Sequence, residues 1–279
     1  MKIISSFLSV AVAATLLLGG CKGKDGDPGP AGANGTNGSA GTNGANGPAG
    51  PAGPSGQNLV GTLTGFVNPV DEIGGTVAKA GVQVTLDNVT PSVSVTSDAD
   101  GRFSFLNLRN GTYNLTFSRA GLVTFRRIGV LHVGGDQPTY LGVSSISQPS
   151  TLTITGITAT VPANSSVVTM GLNFNSPVPT SLFRYVIFAS TSPNPTAATG
   201  TAVATGSFSV NTATNSFQAS ATVSRFSFAN AGFVSGTTLY LVAYGSTSIL
   251  STYNDPATGR LVYPALNATP SSVVSVVVP

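Results

Sequence analysis

The sequence predicts an all-β protein: two β-sandwich modules at the end of an extended stalk. From Leu59 onward apolar and polar residues alternate in short runs, as at Val82, Val84 and Leu86, which is the period of a half-buried strand. No segment of that region carries a helical stripe. Ahead of it glycine falls at every third position. Only 8% of the 279 residues are charged while 41% are hydrophobic, so the polar surface must come from Ser, Thr, Asn and Gly. That balance suits an extracellular β-protein better than a cytosolic enzyme.

The chain begins with Lys2 and a run of about a dozen mostly apolar residues from Phe7 to Leu18, too short to span a bilayer as a mature helix. Residues 1–20 therefore read as a signal peptide. The run ends in Leu18-Gly19-Gly20-Cys21, which resembles the lipobox of bacterial lipoproteins. That resemblance implies cleavage before Cys21, a diacylglycerol on its thiol and acylation of the new amino terminus, several chains together giving stable anchoring. The membrane is thus an expected partner. Cys21 is the only cysteine, so no intrachain disulfide forms and a Cys-rich metal site is excluded. Lys22 follows it where an aspartate would favour retention, and by resemblance to envelope sorting this points to the outer membrane, with exposure at the cell surface as a further expectation.

Glycine then recurs at Gly23, Gly26, Gly29, Gly32, Gly35, Gly38, Gly41, Gly44, Gly47, Gly50, Gly53 and Gly56. Three polyproline-II chains wind together only if every third residue lacks a side chain at the crowded axis. The segment resembles bacterial collagen-like domains, and residues 21–58 are expected to form the stalk. Pro28, Pro30, Pro48, Pro51 and Pro54 pre-set extended dihedrals, whereas no proline stands from Ala33 to Asn46. Two states fit: a homotrimeric triple helix, or an unpaired flexible spacer. At about 3 Å per residue the wound form would reach roughly 100 Å.

Residues 59–146 form the first expected module. Phe103 with Phe105, and Tyr113, Leu115 and Phe117, alternate with polar neighbours, and Asp100-Gly101 and Asn110-Gly111 are dipeptides expected to close hairpins. Gly65-Phe66-Val67, Gly81 to Leu86, Thr96 to Phe105, Leu108 to Tyr113 and Gly121-Leu122 follow one another in an order that resembles the carboxypeptidase regulatory-like domain. The resemblance implies a seven-stranded, prealbumin-like sandwich without catalytic residues of its own. The stretch from Pro69 to Lys79 is longer than that family usually has. Asp98-Ala99-Asp100-Gly101 also opens like a calcium loop, but no acidic residue follows where such a loop would close, so a turn is expected. His132, the only histidine, stands in an apolar run and is expected to be a strand histidine satisfied by hydrogen bonds.

Residues 150–279 form the second module. Strand-like runs are Thr151–Val161, Val167–Phe174, Leu182–Ala189, Val203–Val210, Ser216–Val223, Thr238–Tyr244 and Val273–Val278, with turn clusters such as Pro193-Asn194-Pro195 and Asp255-Pro256 between them. Thr238 to Tyr244 resembles the penultimate strand of fibronectin type III-like domains, where a tyrosine packs the corner, although the chain has no Trp. No sorting motif or second anchor is expected after Pro279.

Several function classes are expected to be absent. Arg126-Arg127 is the only adjacent basic pair outside the leader, so 12 Lys and Arg against 9 acids make no nucleic-acid stripe. The lone Glu72 would need a facing carboxylate from Asp87, Asp136 or Asp255 to act as a glycosidase pair, and no Gly-x-Ser-x-Gly elbow occurs. No cofactor, metal or catalytic residue is expected. The expected function is a structural or adhesive display module, with an extracellular protein or glycan as partner. The alternative is a carbohydrate-binding or other ligand-binding accessory module, with Tyr253 and Tyr263 as its candidate ligand loop.

Overall fold

A computed structural model describes residues 58–174, 183–208 and 218–279. The expected signal peptide with Leu18, Gly19 and Gly20, the lipidated Cys21 and the repeat glycines Gly23 to Gly56 lie outside the described residues.

Period-two alternation produces seven strands in the first half: β1 (Val60–Val70), β2 (Gln83–Leu86), β3 (Val93–Thr96), β4 (Arg102–Arg109), β5 (Gly111–Ser118), β6 (Phe125–His132) and β7 (Thr139–Ser147). They divide into one sheet of order β4-β1-β7 and another of order β3-β2-β5-β6. The inward residues Leu63, Val84, Leu86, Phe103, Leu115 and Phe117 are buried between them. Each contributes about 1.5–3 kcal/mol by leaving water. Phe103 stands edge-on to Phe117 with ring centres 5.6 Å apart.

β1 pairs antiparallel with β4 but parallel with β7. The chain therefore enters this sandwich at Val60 and leaves it at Ser147 at the opposite end.

The two turn dipeptides do not close hairpins. β3 and β4 belong to different sheets, as do β4 and β5, so Asp100-Gly101 and Asn110-Gly111 carry the chain across the sandwich instead. At the first crossing Asp98 Oδ1 accepts the N–H groups of Asp100 (3.0 Å) and Arg102 (2.8 Å), using in a turn the oxygen a calcium ion would need. Gly101 sits at φ 85°, and a side chain there would run into the Val67 carbonyl. At the second crossing the Tyr113 hydroxyl donates to the Arg109 carbonyl (2.8 Å), the arrangement of a tyrosine corner.

His132 is fully buried, with Nε2 3.1 Å from the Leu108 carbonyl and Nδ1 2.8 Å from Thr139 Oγ1. A carbonyl only accepts, so Nε2 donates to Leu108.

The second half holds β8 (Ile154–Thr160), β9 (Val167–Phe174), β10 (Phe183–Ser190), β11 (Thr201–Phe208), β12 (Gln218–Ser224), the short helix α1 (Arg225–Asn230), β13 (Thr238–Ser246), the small hairpin β14 (Tyr253–Asn254) and β15 (Leu261–Val262), and β16 (Val274–Val277). A sheet of order β12-β9-β8 faces one of order β11-β10-β13-β16. Val168, Met170, Leu172, Ile187, Leu239 and Leu241 are buried between them. Helix α1 had no sequence signal. It is six residues long and begins where the Ser224 hydroxyl accepts the Ser227 N–H at 3.1 Å.

Between β13 and β16 the chain makes an excursion over residues 247–272. It covers the outer face of the larger sheet, where Val186, Phe188, Val242 and Tyr244 are buried against Leu250, Tyr263 and Leu266. This explains why β10 is buried at nearly every position and loses its alternation. The excursion also places Ala265 in the core of the first sandwich.

The long stretch after β1 has a matching use. Asp71 Oδ1 accepts the N–H groups of Ile73 (3.0 Å) and Gly75 (2.7 Å), shaping a loop that presents Glu72. The Glu72 carboxylate accepts both the N–H (2.7 Å) and the hydroxyl (2.8 Å) of Thr151, and its carbonyl accepts the Ser248 N–H at 2.9 Å. Ser251 Oγ donates to the Ser145 carbonyl at 3.1 Å and the Ser150 N–H to the Ala265 carbonyl at 3.3 Å. The two sandwiches thus lie within one compact unit, Pro54–Pro279.

Two outcomes follow from this packing. His132→Ala leaves the Leu108 carbonyl and Thr139 hydroxyl unpaired beside a cavity, and a urea titration should show a loss of about 2–4 kcal/mol. Glu72→Ala removes two hydrogen bonds at the joint. Calorimetry should turn one cooperative transition into a broadened or split one, with a stability loss of about 1–2 kcal/mol.

Candidate functional site

β6 and β7 are edge strands of opposite sheets in the first sandwich, and the seam between them is open. A groove of about 680 Å³ runs along that seam and is closed at one end by the β14–β15 hairpin. Its wall is set by the register of β6. Leu115, buried in the core, stands opposite Arg127, so Arg127 points between the sheets, and Arg126 points away from them.

Arg127 donates to the Leu141 carbonyl of β7 at 2.6 Å, bridging the seam. An inward cation at a free edge also discourages a further strand from pairing there. Gly129 (φ 70°) bulges β6, and its N–H is taken by Asn114 Oδ1 at 2.9 Å. Arg126 binds Asp87 at 2.9 Å and approaches Asp255 of the hairpin at 3.8 Å.

The carboxylates considered from sequence as a catalytic pair fall in three separate places. Asp87 and Asp255 both serve one guanidinium, Glu72 clasps Thr151, and Asp136 is exposed between β6 and β7. The Thr258 hydroxyl and the Ala257 N–H, with Arg126 adding to them, hold the Asp255 carboxyl below the usual carboxylate range, so it is an anion and not a proton donor. Among the described residues no group of three or more His, Cys, Asp or Glu could hold a metal ion.

Tyr253 and Tyr263 do not form one platform. Tyr253 pairs directly with Val262 across the hairpin, so the next residue, Tyr263, turns to the other side. Tyr253 stands edge-on to Phe125 of the first sandwich at 6.1 Å. Tyr263 stands edge-on to Phe188 of the second at 5.6 Å and borders a separate cavity of about 250 Å³ with Arg260 and Gly200. Both rings are half-buried.

The ring that joins Tyr253 in the groove is Tyr140, 59% exposed and edge-on to Phe66 at 6.2 Å. Sequence alternation missed it because Gly142 (φ 73°) interrupts β7 and breaks the period. Thr139, Thr252 and Asn254 add hydroxyl and amide groups, so the groove offers aromatic faces beside hydrogen-bonding groups along an extended path. Groups of this kind can contact a long hydroxylated or amide-rich ligand along its length.

The seven strands, their two-sheet division and the corner at Tyr113 describe a small sandwich whose sequence pattern is diagnostic. Residues 62–144 match the carboxypeptidase regulatory-like domain. Every strand of the first sandwich except the ends of β1 and β7 lies within the matched carboxypeptidase regulatory-like segment. No curated protein matches the chain. Among solved structures, a proposed carbohydrate-binding protein from Bacteroides uniformis is 12% identical, over 78% of this chain and 99% of that one, with a TM-score of 0.29. A DUF3823 family protein from Bacteroides ovatus is 16% identical, over 79% of this chain and 100% of that one, also at 0.29. A chain of a type II cohesin–X-dockerin complex from Acetivibrio cellulolyticus is 21% identical over 32% of this chain, which spans 58% of that one, at 0.27.

Burial pushes the phenol of Tyr263 up, as it does that of Tyr185. The unfolded chain, with ordinary tyrosines near pH 10, then ionises first and binds fewer protons than the folded one, so stability is full below about pH 10 and falls as pH rises beyond it. Tyr263→Phe should flatten part of that fall, read as urea midpoints between about pH 9 and 11.

Proposed function

We propose that this chain is a non-catalytic, lipid-anchored protein of the bacterial envelope that displays two sandwiches away from the membrane. Leu18-Gly19-Gly20-Cys21 supplies the anchor, Lys22 favours the outer membrane, and the repeats from Gly23 to Gly56 supply the stalk. No helix among the described residues is long and apolar enough to cross a membrane. The reading is carried by one observation: the parallel pairing of β1 with β7, which sets the second sandwich beyond the first. The split of the second sandwich into its first, second and fifth strands against the rest supports the resemblance to fibronectin type III-like domains.

Such a display presents the end of the second sandwich remote from the joint. Ser224 pairs with Val167, and Thr238 with Val277, at that end. The connection between β12 and β13 there carries Phe226 in α1 and Val234 after it, 72% and 71% exposed, a surface suited to an adhesive contact. In Triton X-114 partitioning the mature protein should enter the detergent phase, and Cys21→Ser should send it to the aqueous phase. An aqueous wild-type protein would sink the anchor.

The second reading is ligand binding in the groove, with a glycan as the class that its tyrosines, threonines and Asn254 suit. A glycan array should then show saturable binding that Tyr140→Ala weakens by about tenfold or more while the sandwich stays folded. Absence of any saturable ligand would leave display alone.

A further inference from the structure

The end of the first sandwich nearest the stalk is more apolar than an isolated surface needs. Six of the fifteen large apolar side chains exposed among the described residues lie there: Leu59, Val60, Leu106, Leu131, Val133 and Tyr140. Their proximity is set by pairing. The Asn110 N–H donates to the Leu59 carbonyl at 2.7 Å and the Gly135 N–H to the Val60 carbonyl at 2.9 Å, which draws the end of β4 and the turn after Val133 against the start of β1. Arg109 and Asp136, both exposed, add opposite charges to the same end.

What covers this face follows from where the repeat stops. The last triplet is Gly56-Gln57-Asn58, so Leu59 alone separates it from β1. In a triple helix each third-position glycine sits at the common axis. Four residues reach at most about 14 Å, so Val60 of every copy would lie within that distance of the axis. A body of this sandwich's size has a radius of gyration of about 12 Å. Three such bodies attached so close to one axis have the residues around Val60 turned toward one another.

We propose that this apolar end is a trimer seat: three copies of the chain pack Val60, Leu106 and Val133 together around the axis, with Arg109 of one copy facing Asp136 of the next. The premise is the stalk of the proposed function in its wound form, one of the two states that the glycine period fits. The seat would hold the three strands in register where the triplets, free of proline from Ala33 to Asn46, are weakest at closing by themselves. It also gives a burial partner to Val60, Leu106 and Val133, none of which lines the groove.

The test uses the chain from Lys22 to Pro279, freed of the lipidated cysteine, carrying Val60→Thr, Leu106→Thr and Val133→Thr, β-favouring replacements that remove apolar contact. Sedimentation gives the stoichiometry, and circular dichroism gives the triple-helix melt separately from that of the sandwiches. The wild type should sediment as a trimer, and the triple variant should dissociate at roughly tenfold higher protein concentration, with a lower triple-helix melt and an unchanged sandwich melt. Should the variant fail to fold, Arg109→Asp alone and then with Asp136→Arg replaces it: the single change should weaken the trimer and the pair restore it. A wild-type trimer that both sets of changes leave intact overturns the seat while sparing the stalk, and assigns the face to a different partner. A wild-type monomer overturns both.

Discussion

β1 and β7 run side by side in the same direction, and the layout of the chain depends on that pairing. A parallel pair cannot be closed by a tight turn, so the intervening residues must cross to another layer and return. Here that detour is the whole second sheet, β2, β3, β5 and β6, and the crossings at Asp98 and Tyr113 are its corners. The reward is axial. An eleven-residue β1 covers about 35 Å, and the chain leaves β7 at the end of that span and not where it entered.

At the joint, magnitudes decide which contacts matter. Arg126 and its two carboxylates are partly exposed, and such pairs contribute about 0–1 kcal/mol. Glu72 does more, because it accepts a backbone N–H that would otherwise lack a protein partner at the start of the second sandwich. Ala265, inserted in the first core, and the edge-on contact of Phe125 with Tyr253 add apolar burial on either side of those bonds. The sandwiches are held by shape and main-chain hydrogen bonds more than by charge.

Much of the strand pattern was legible in the sequence, and the reason is local. Val167–Phe174 is found as expected and Phe183 to Ala189 of the expected run lies in β10, because alternation and turn residues are properties of a few neighbours. Partnership between strands is not local. Asp100-Gly101 and Asn110-Gly111 bend the chain as their chemistry demands, yet nothing in a dipeptide states whether the next strand stays in the sheet or leaves it. The groove suffered similarly: Tyr253 was visible as an aromatic beside a turn, while Tyr140 and the opposite facings of Tyr253 and Tyr263 depend on a bulge and on hairpin register. Arg126-Arg127 read as a basic pair, but neighbours in a strand point apart, and one became a joint and the other a seam bridge.

The excursion over 247–272 bears on whether either sandwich is complete alone. Domains in series ordinarily keep their cores to themselves. A copy severed at Pro149 would leave the first core without Ala265 and the Glu72 carboxylate with nothing to clasp. The first sandwich cut free there would carry a gap in its core and an unpaired loop carboxylate, so each sandwich completes part of the other.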